Sequence, residues 1–221
     1  MQISVMGTSE YSIPPERGTA QMRVTAEDVD AARASRRAQS AVARIDAEVR
    51  RLAAGDDAPV TWFSVGPLTT SSWQPTNPQG KPGPRRYSAS ARIQVKFRDF
   101  TELAAAVTRW GADEDVNVGY VEWALTDATR LEVEAKALTD AVADARQRAT
   151  AIATACGYAT IQVEQVADPG LLGENGPMPA VAYDGPAGVM MRGKAVAETT
   201  ELSPEDVRGS AKVHARFRAE H

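Results

Sequence analysis

The chain has 221 residues, 43% of them hydrophobic, and a formal net charge of −4. That length suits one large domain or two small ones, and the apolar content excludes wholesale disorder. The acidic balance excludes a whole-chain basic footprint for nucleic acid. No stretch approaches the ~20 apolar residues needed to cross a bilayer, and the single Cys156 excludes an intrachain disulfide or a cysteine-based zinc site.

Met1-Gln2-Ile3-Ser4-Val5 reads directly as a strand, without the basic start and apolar run of a signal peptide. A cytoplasmic product is therefore expected, with export as the alternative if a leader has been removed. Pro14-Pro15 breaks the chain. Ala20, Met22 and Val24 alternate with Gln21, Arg23 and Thr25, which predicts a half-buried strand. Val42, Ile45, Val49 and Leu52 keep helical spacing, so a helix is placed at about residues 28–54, closed by Gly55. Val60 to Val65 is a third strand, and the Pro, Gly, Ser and Thr of residues 66–86 read as a long hairpin connection.

Ala89, Ala91, Ile93, Val95 and Phe97 alternate with polar residues in the clearest strand of the chain. Asp99 and Glu102 form a capping-box pattern that opens a short helix, with Phe100, Leu103, Val107 and Trp110 on one face and Gly111 at its end. The apolar phase slips between Val116-Val118-Tyr120 and Val121-Trp123-Leu125, which predicts a bulge near Gly119. Next comes one long helix. Leu131, Ala135, Leu138, Val142, Ala145, Ala149, Ile152 and Cys156 alternate steps of four and three, which predicts a single buried stripe ending at Gly157. On that stripe Cys156 reads as a buried small hydrophobe rather than a reactive thiol.

Ile161 to Val166 is a further strand, and residues 168–193 read as a mobile Pro/Gly/Met-rich loop. Val196 to Leu202 and Ala211 to Phe217 are expected to close the chain as a hairpin around Ser203-Pro204-Glu205-Asp206. The sum is an α+β fold. Largely antiparallel sheets carry amphipathic helices on one face, with three main helices and about eight strands. Residues 1–221 read as one domain, with sub-lobes at 1–66 with 87–126 and at 127–221.

This layout, with several local phrases, resembles the SIMPL-domain family, which includes bacterial periplasmic immunogenic proteins. The phrases are Ile3-Ser4-Val5-Met6-Gly7 with Pro14-Pro15 and Thr19-Ala20 after it, and Arg86-Tyr87-Ser88-Ala89-Ser90 leading into Val95 and Phe97-Arg98-Asp99-Phe100. Gly119 to Asp127 is a third. The last two are Ala137 to Gly157, with Ala141, Asp144, Ala145 and Ala149, and Leu202-Ser203-Pro204-Glu205-Asp206-Val207. The resemblance implies an α+β fold and a non-enzymatic protein, with no catalytic motif to carry over. Some bacterial members are linked to the cell envelope or to stress tolerance, and some self-associate.

The residues themselves offer little chemistry. No Gly-x-Ser-x-Gly elbow is present. His214 falls on the polar face of a predicted strand, and His221 is the last residue. Asp113, Asp115 and Asn117 imitate the start of a calcium loop, but Val118 and Ala124 stand where glycine and glutamate are required, so a solvated turn is expected. Neither catalytic residues, nor metal ligands, nor a cofactor is predicted.

Two kinds of surface remain. Trp73 in the first loop and Met178, Tyr183, Met190 and Met191 in the second are candidate protein contacts. Arg92, Lys96 and Arg98 on one strand, with Lys212, Arg216 and Arg218 on another, would make a cationic sheet face if those strands were neighbours. The leading expectation is a non-enzymatic module working through a protein partner or self-association. One alternative is an anion- or RNA-binding module on the basic strand faces, although no aromatics are interleaved for stacking on nucleic acid. A second is an enzyme with acids in a cleft near Glu10, Glu16, Asp115 or Glu122.

Overall fold

The computed structural model describes residues 1–77, 80–172 and 203–221. In chain order these form β1 (Gln2–Ile13), β2 (Arg17–Asp28), α1 (Ala31–Leu52), β3 (Val60–Val65), β4 (Thr69–Trp73), β5 (Arg86–Phe97), α2 (Phe100–Gly111), β6 (Val116–Ala124), α3 (Asp127–Ala155), β7 (Thr160–Ala167) and β8 (Val207–Glu220). The three helices and eight strands, all paired antiparallel, make the fold α+β. The described residues fall into two compact units, one of residues 1–14, 125–172 and 206–221 and the other of 15–124 and 203–205. The first strand thus belongs with the last ones, not with residues 20–66.

The larger unit is a five-stranded sheet in the order β3-β5-β2-β6, with β4 also on β5. β5 pairs with β2 from Gly18↔Phe97 to Asp28↔Tyr87, while β3 and then β4 follow one another along its other edge. Residues 66–86 are therefore not all connection. β4 is missed by pattern reading because its five residues are all exposed and carry no apolar alternation. The bulge at Gly119 is present, as a shift in the β2–β6 register between Ala20 and Met22.

Alternation drives the inner face. Ala20, Met22, Val24 and Ala26 of β2 join Ala89, Ile93, Val95 and Phe97 of β5 beneath the two helices. α1 contributes Ala34, Ala38, Ala41, Ile45, Val49 and Leu52, spaced for one helical face. α2 contributes Leu103, Ala106 and Trp110. Asp99 caps α2 by accepting from the backbone N–H groups of Thr101 and Glu102, as its pattern predicts. Glu48 of α1 ties the helices together, accepting from Arg109 Nε at 2.9 Å and Trp110 Nε1 at 2.8 Å.

The smaller unit is a three-stranded sheet in the order β1-β8-β7. β8 is its central strand, with β1 along one side and β7 beside His214 to Glu220 on the other. The predicted partner strand, 196–202, lies outside the described residues. α3 covers β1 and β8, but not with the predicted stripe. Its buried residues are Ala137, Ala141, Ala145, Ala149 and Ala153, whereas Leu131, Leu138, Val142, Ile152 and Cys156 are exposed. The two rows share only Ala145 and Ala149.

The cause lies in β1. A Cβ built on Gly7 would overlap the Ala141 carbonyl oxygen and stand 2.6 Å from the Ala145 nitrogen. The helix backbone therefore rests on a strand with no side chain at that point, and only alanine methyls fit beside it. Asp144 then reaches the Thr8 backbone N–H at 2.9 Å, a group not used in the β1–β8 ladder. α3 ends at Gly157, where φ is +82°.

Candidate functional site

α3 begins at Thr126, whose side chain caps the first turn. From Asp127 to Lys136 no residue is buried. Leu131, Ala135, Leu138 and Val142 keep steps of four, three and four, so they form one exposed stripe, which at Leu138 and Val142 lies about 100° round the helix from Ala137 and Ala141. Leu131 is 59% and Leu138 47% exposed. Charged neighbours hold the flanks: Arg130 pairs with Asp127 and Glu134, and Lys136 with Asp140 at 2.6 Å. The same unit exposes Val163 (61%) and Val166 (45%) on β7, which pairs with no described strand except β8.

Trp73 ends β4 opposite Arg86 and is exposed. Met178, Tyr183, Met190 and Met191 lie outside the described residues.

The six candidate anion contacts do not form one surface. β5 and β8 lie in different sheets. On β8, Arg218 pairs with Glu164 at 2.6 Å and Arg216 donates to Gln165 at 3.1 Å, while Lys212 faces Thr8. The Gln2 amide and the Arg218 guanidinium hold Glu164 below the usual carboxylate range. On β5, Lys96 lies against the Trp62 ring at 5.7 Å. Arg98 is structural: it pairs with Asp57 at 3.1 Å and donates to the carbonyls of Asp56 and Ala58. Among the described residues Arg92, like Lys212, has no polar side-chain contact, and directly across from Arg92 on β2 is Arg23, a residue the sequence reading placed on a polar face without singling it out.

The acidic turn 113–115 stays partly in solvent, with the Glu114 side chain 83% exposed, and is fastened to α1 by arginines. Arg44 pairs with Asp113, and Arg37 donates to Asp115 at 2.7 and 3.2 Å and to Glu114 at 2.7 Å. The Arg44 guanidinium, with the Asp115 backbone N–H, depresses the Asp113 pKa. Among the described residues no group of three His, Cys, Asp or Glu could hold a metal ion. Glu122 accepts from Gln21 at 3.2 Å, and Glu10 is exposed on β1. Two cavities, of about 490 and 350 Å³, open in the larger unit. Their linings include none of Glu10, Glu16, Asp115 or Glu122, and the one carboxylate present, Asp46, pairs with Arg50 at 2.8 Å.

These surfaces belong to an α+β protein whose sheets each carry helices on one face. The chain belongs to the SIMPL family, described as a protein of unknown function (DUF541), whose model matches residues 3–217. No curated protein matches the sequence significantly. No described helix is long and apolar enough to cross a membrane.

Proposed function

We propose that this SIMPL protein is not an enzyme and acts through protein–protein contacts, self-association among them. The observation that carries the reading is the outward stripe of Leu131, Ala135, Leu138 and Val142 on α3. Large apolar side chains aligned on a solvent-facing helix suit docking against another apolar surface. β7 offers a second contact, a sheet edge with Val163 and Val166 exposed. The engagement of Asp113, Asp115 and Glu122 by arginine or glutamine supports the non-enzymatic part, because a general acid or base needs a reachable proton site.

Light scattering after size exclusion, run over rising concentration, tests this reading. The wild type is expected to show a multiple of 23.6 kDa. The double variant Leu131→Glu with Leu138→Glu is expected to return to the mass of one chain. A wild type that stays monomeric at the highest concentration overturns self-association.

A further inference from the structure

We infer that Arg23 and Arg92 form a two-guanidinium seat for the carboxylate of an acidic segment in a partner protein. The two residues face each other across β2 and β5, with both side chains exposed on the sheet face opposite α1 and α2. Facing residues in an antiparallel pair stand about 4.5–5.5 Å apart at Cα. Like charges so placed repel, so this pairing weakens the sheet unless an anion sits between them.

Among the described residues, nothing in the surrounding row supplies that anion. Across the sheet it reads Gly66, Arg92, Arg23, Asn117. Gly66 has no side chain, and its N–H donates to the Arg92 carbonyl at 2.8 Å. Asn117 is a neutral amide on the β6 edge. One row away, Gln94 donates to Gln21 at 2.7 Å, and Gln21 donates to Glu122. In the row on the other side, Thr69 donates to the Ser90 carbonyl at 3.1 Å. Arg98, just past the end of β5, is by contrast held by Asp57 and by the carbonyls of Asp56 and Ala58. Arg23 and Arg92 have no hydrogen bond or ion pair among the described residues.

The arrangement favours a carboxylate over an extended polyanion. Guanidinium forks match carboxylates in two-point hydrogen bonds. Two cations in one row hold one or two anionic groups. A nucleic acid strand would instead need a cationic track, and here Glu27 of β2 and Glu122 of β6 lie on the same face of the sheet. Amides and hydroxyls around the seat fit a peptide backbone.

A fluorescein-labelled hexaglutamate peptide, titrated into the full-length protein and followed by anisotropy, tests the assignment. The wild type is expected to bind it. Arg23→Gln with Arg92→Gln should lose about tenfold or more in affinity, and Arg→Lys at both positions should also weaken it, because charge stays but the fork is lost. Lys212→Gln, a cation on the other sheet, should bind as wild type. Thermal melting of the double Gln variant should match or exceed wild type, since a repulsion has been removed. Absent binding, equal binding by the Gln variant, or a lowered melting temperature overturns the inference. So does tighter binding of labelled oligothymidine than of the peptide, or displacement of the peptide by inorganic phosphate at peptide concentration. The assignment is independent of the α3 stripe: oligomeric mass reads that stripe, and peptide affinity reads this seat.

Discussion

The two units build a helix-on-sheet layer from different material. The larger one fills the space between layers with volume: Ile93, Val95 and Phe97 from the sheet, Val49 and Leu103 from the helices, all fully buried. The smaller one removes the space. Four alanines of α3, Ala141, Ala145, Ala149 and Ala153, lie over Ile3, Val213, Ala215, Phe217 and Ala219, and at Gly7 backbone meets backbone. A buried Leu or Phe side chain contributes about 1.5–3 kcal/mol, and one methyl or methylene about 0.8 kcal/mol. The larger unit is therefore sensitive to subtraction and the smaller one to addition. Covering a sheet with alanines has a further consequence, because the helix keeps its large apolar side chains for the outside.

The sharpest break in the comparison comes from trading one kind of change for the other. Phe97→Ala in the larger unit should cost about 4 kcal/mol in urea unfolding, the value for deleting a fully buried aromatic. Gly7→Val in the smaller unit adds atoms where the Ala141 carbonyl stands, and should cost about 3 kcal/mol by overpacking. The mirror changes should be milder: a subtraction at the alanine row, Ala141→Gly, should cost about 1 kcal/mol, chiefly through helix propensity.

A smaller effect sharpens the electrostatic side. Asp113 has its pKa lowered in the folded state, by Arg44 first and then by the Asp115 backbone N–H. A lowered folded pKa stabilises the fold above the unfolded value of 3.8 and loses that contribution as pH falls through the folded value. Urea melts of wild type and Asp113→Asn should therefore differ at pH 6 and converge as the pH drops below about 3.8. A gap that widens in acid would assign the wrong sign to the Arg44 contact.

Much of this could be read in the sequence where local chemistry and tertiary contact agree. The Asp99 cap, the alternation of β5 and the phase slip at Gly119 each have a short-range cause, and each stands in the structure. The face of α3 does not have one. Apolar periodicity weights leucine and valine above alanine, so it selects the row through Leu131 and Leu138. What decides the matter is Gly7, more than 130 residues away, which admits only the methyl row. The clue was present as alanine at 137, 141, 145, 149 and 153, a row of small residues that marks close approach rather than bulk. Arg23 was hidden for a similar reason: its placement opposite Arg92 is a matter of strand register, which pattern within one strand does not carry. The central position of β8 likewise depends on the pairing of the two ends of the chain.

The claim on which the rest depends is that α3 turns its alanines inward and its leucines outward. Equilibrium unfolding of Ala145→Leu and Leu138→Ala, at protein concentrations low enough to hold one chain per particle, measures it directly. The orientation predicts a loss of about 3 kcal/mol for Ala145→Leu and a change within about 0.5 kcal/mol for Leu138→Ala. A Leu138→Ala loss of 2 kcal/mol or more, on the order seen for emptied core sites, with Ala145→Leu tolerated, would contradict it.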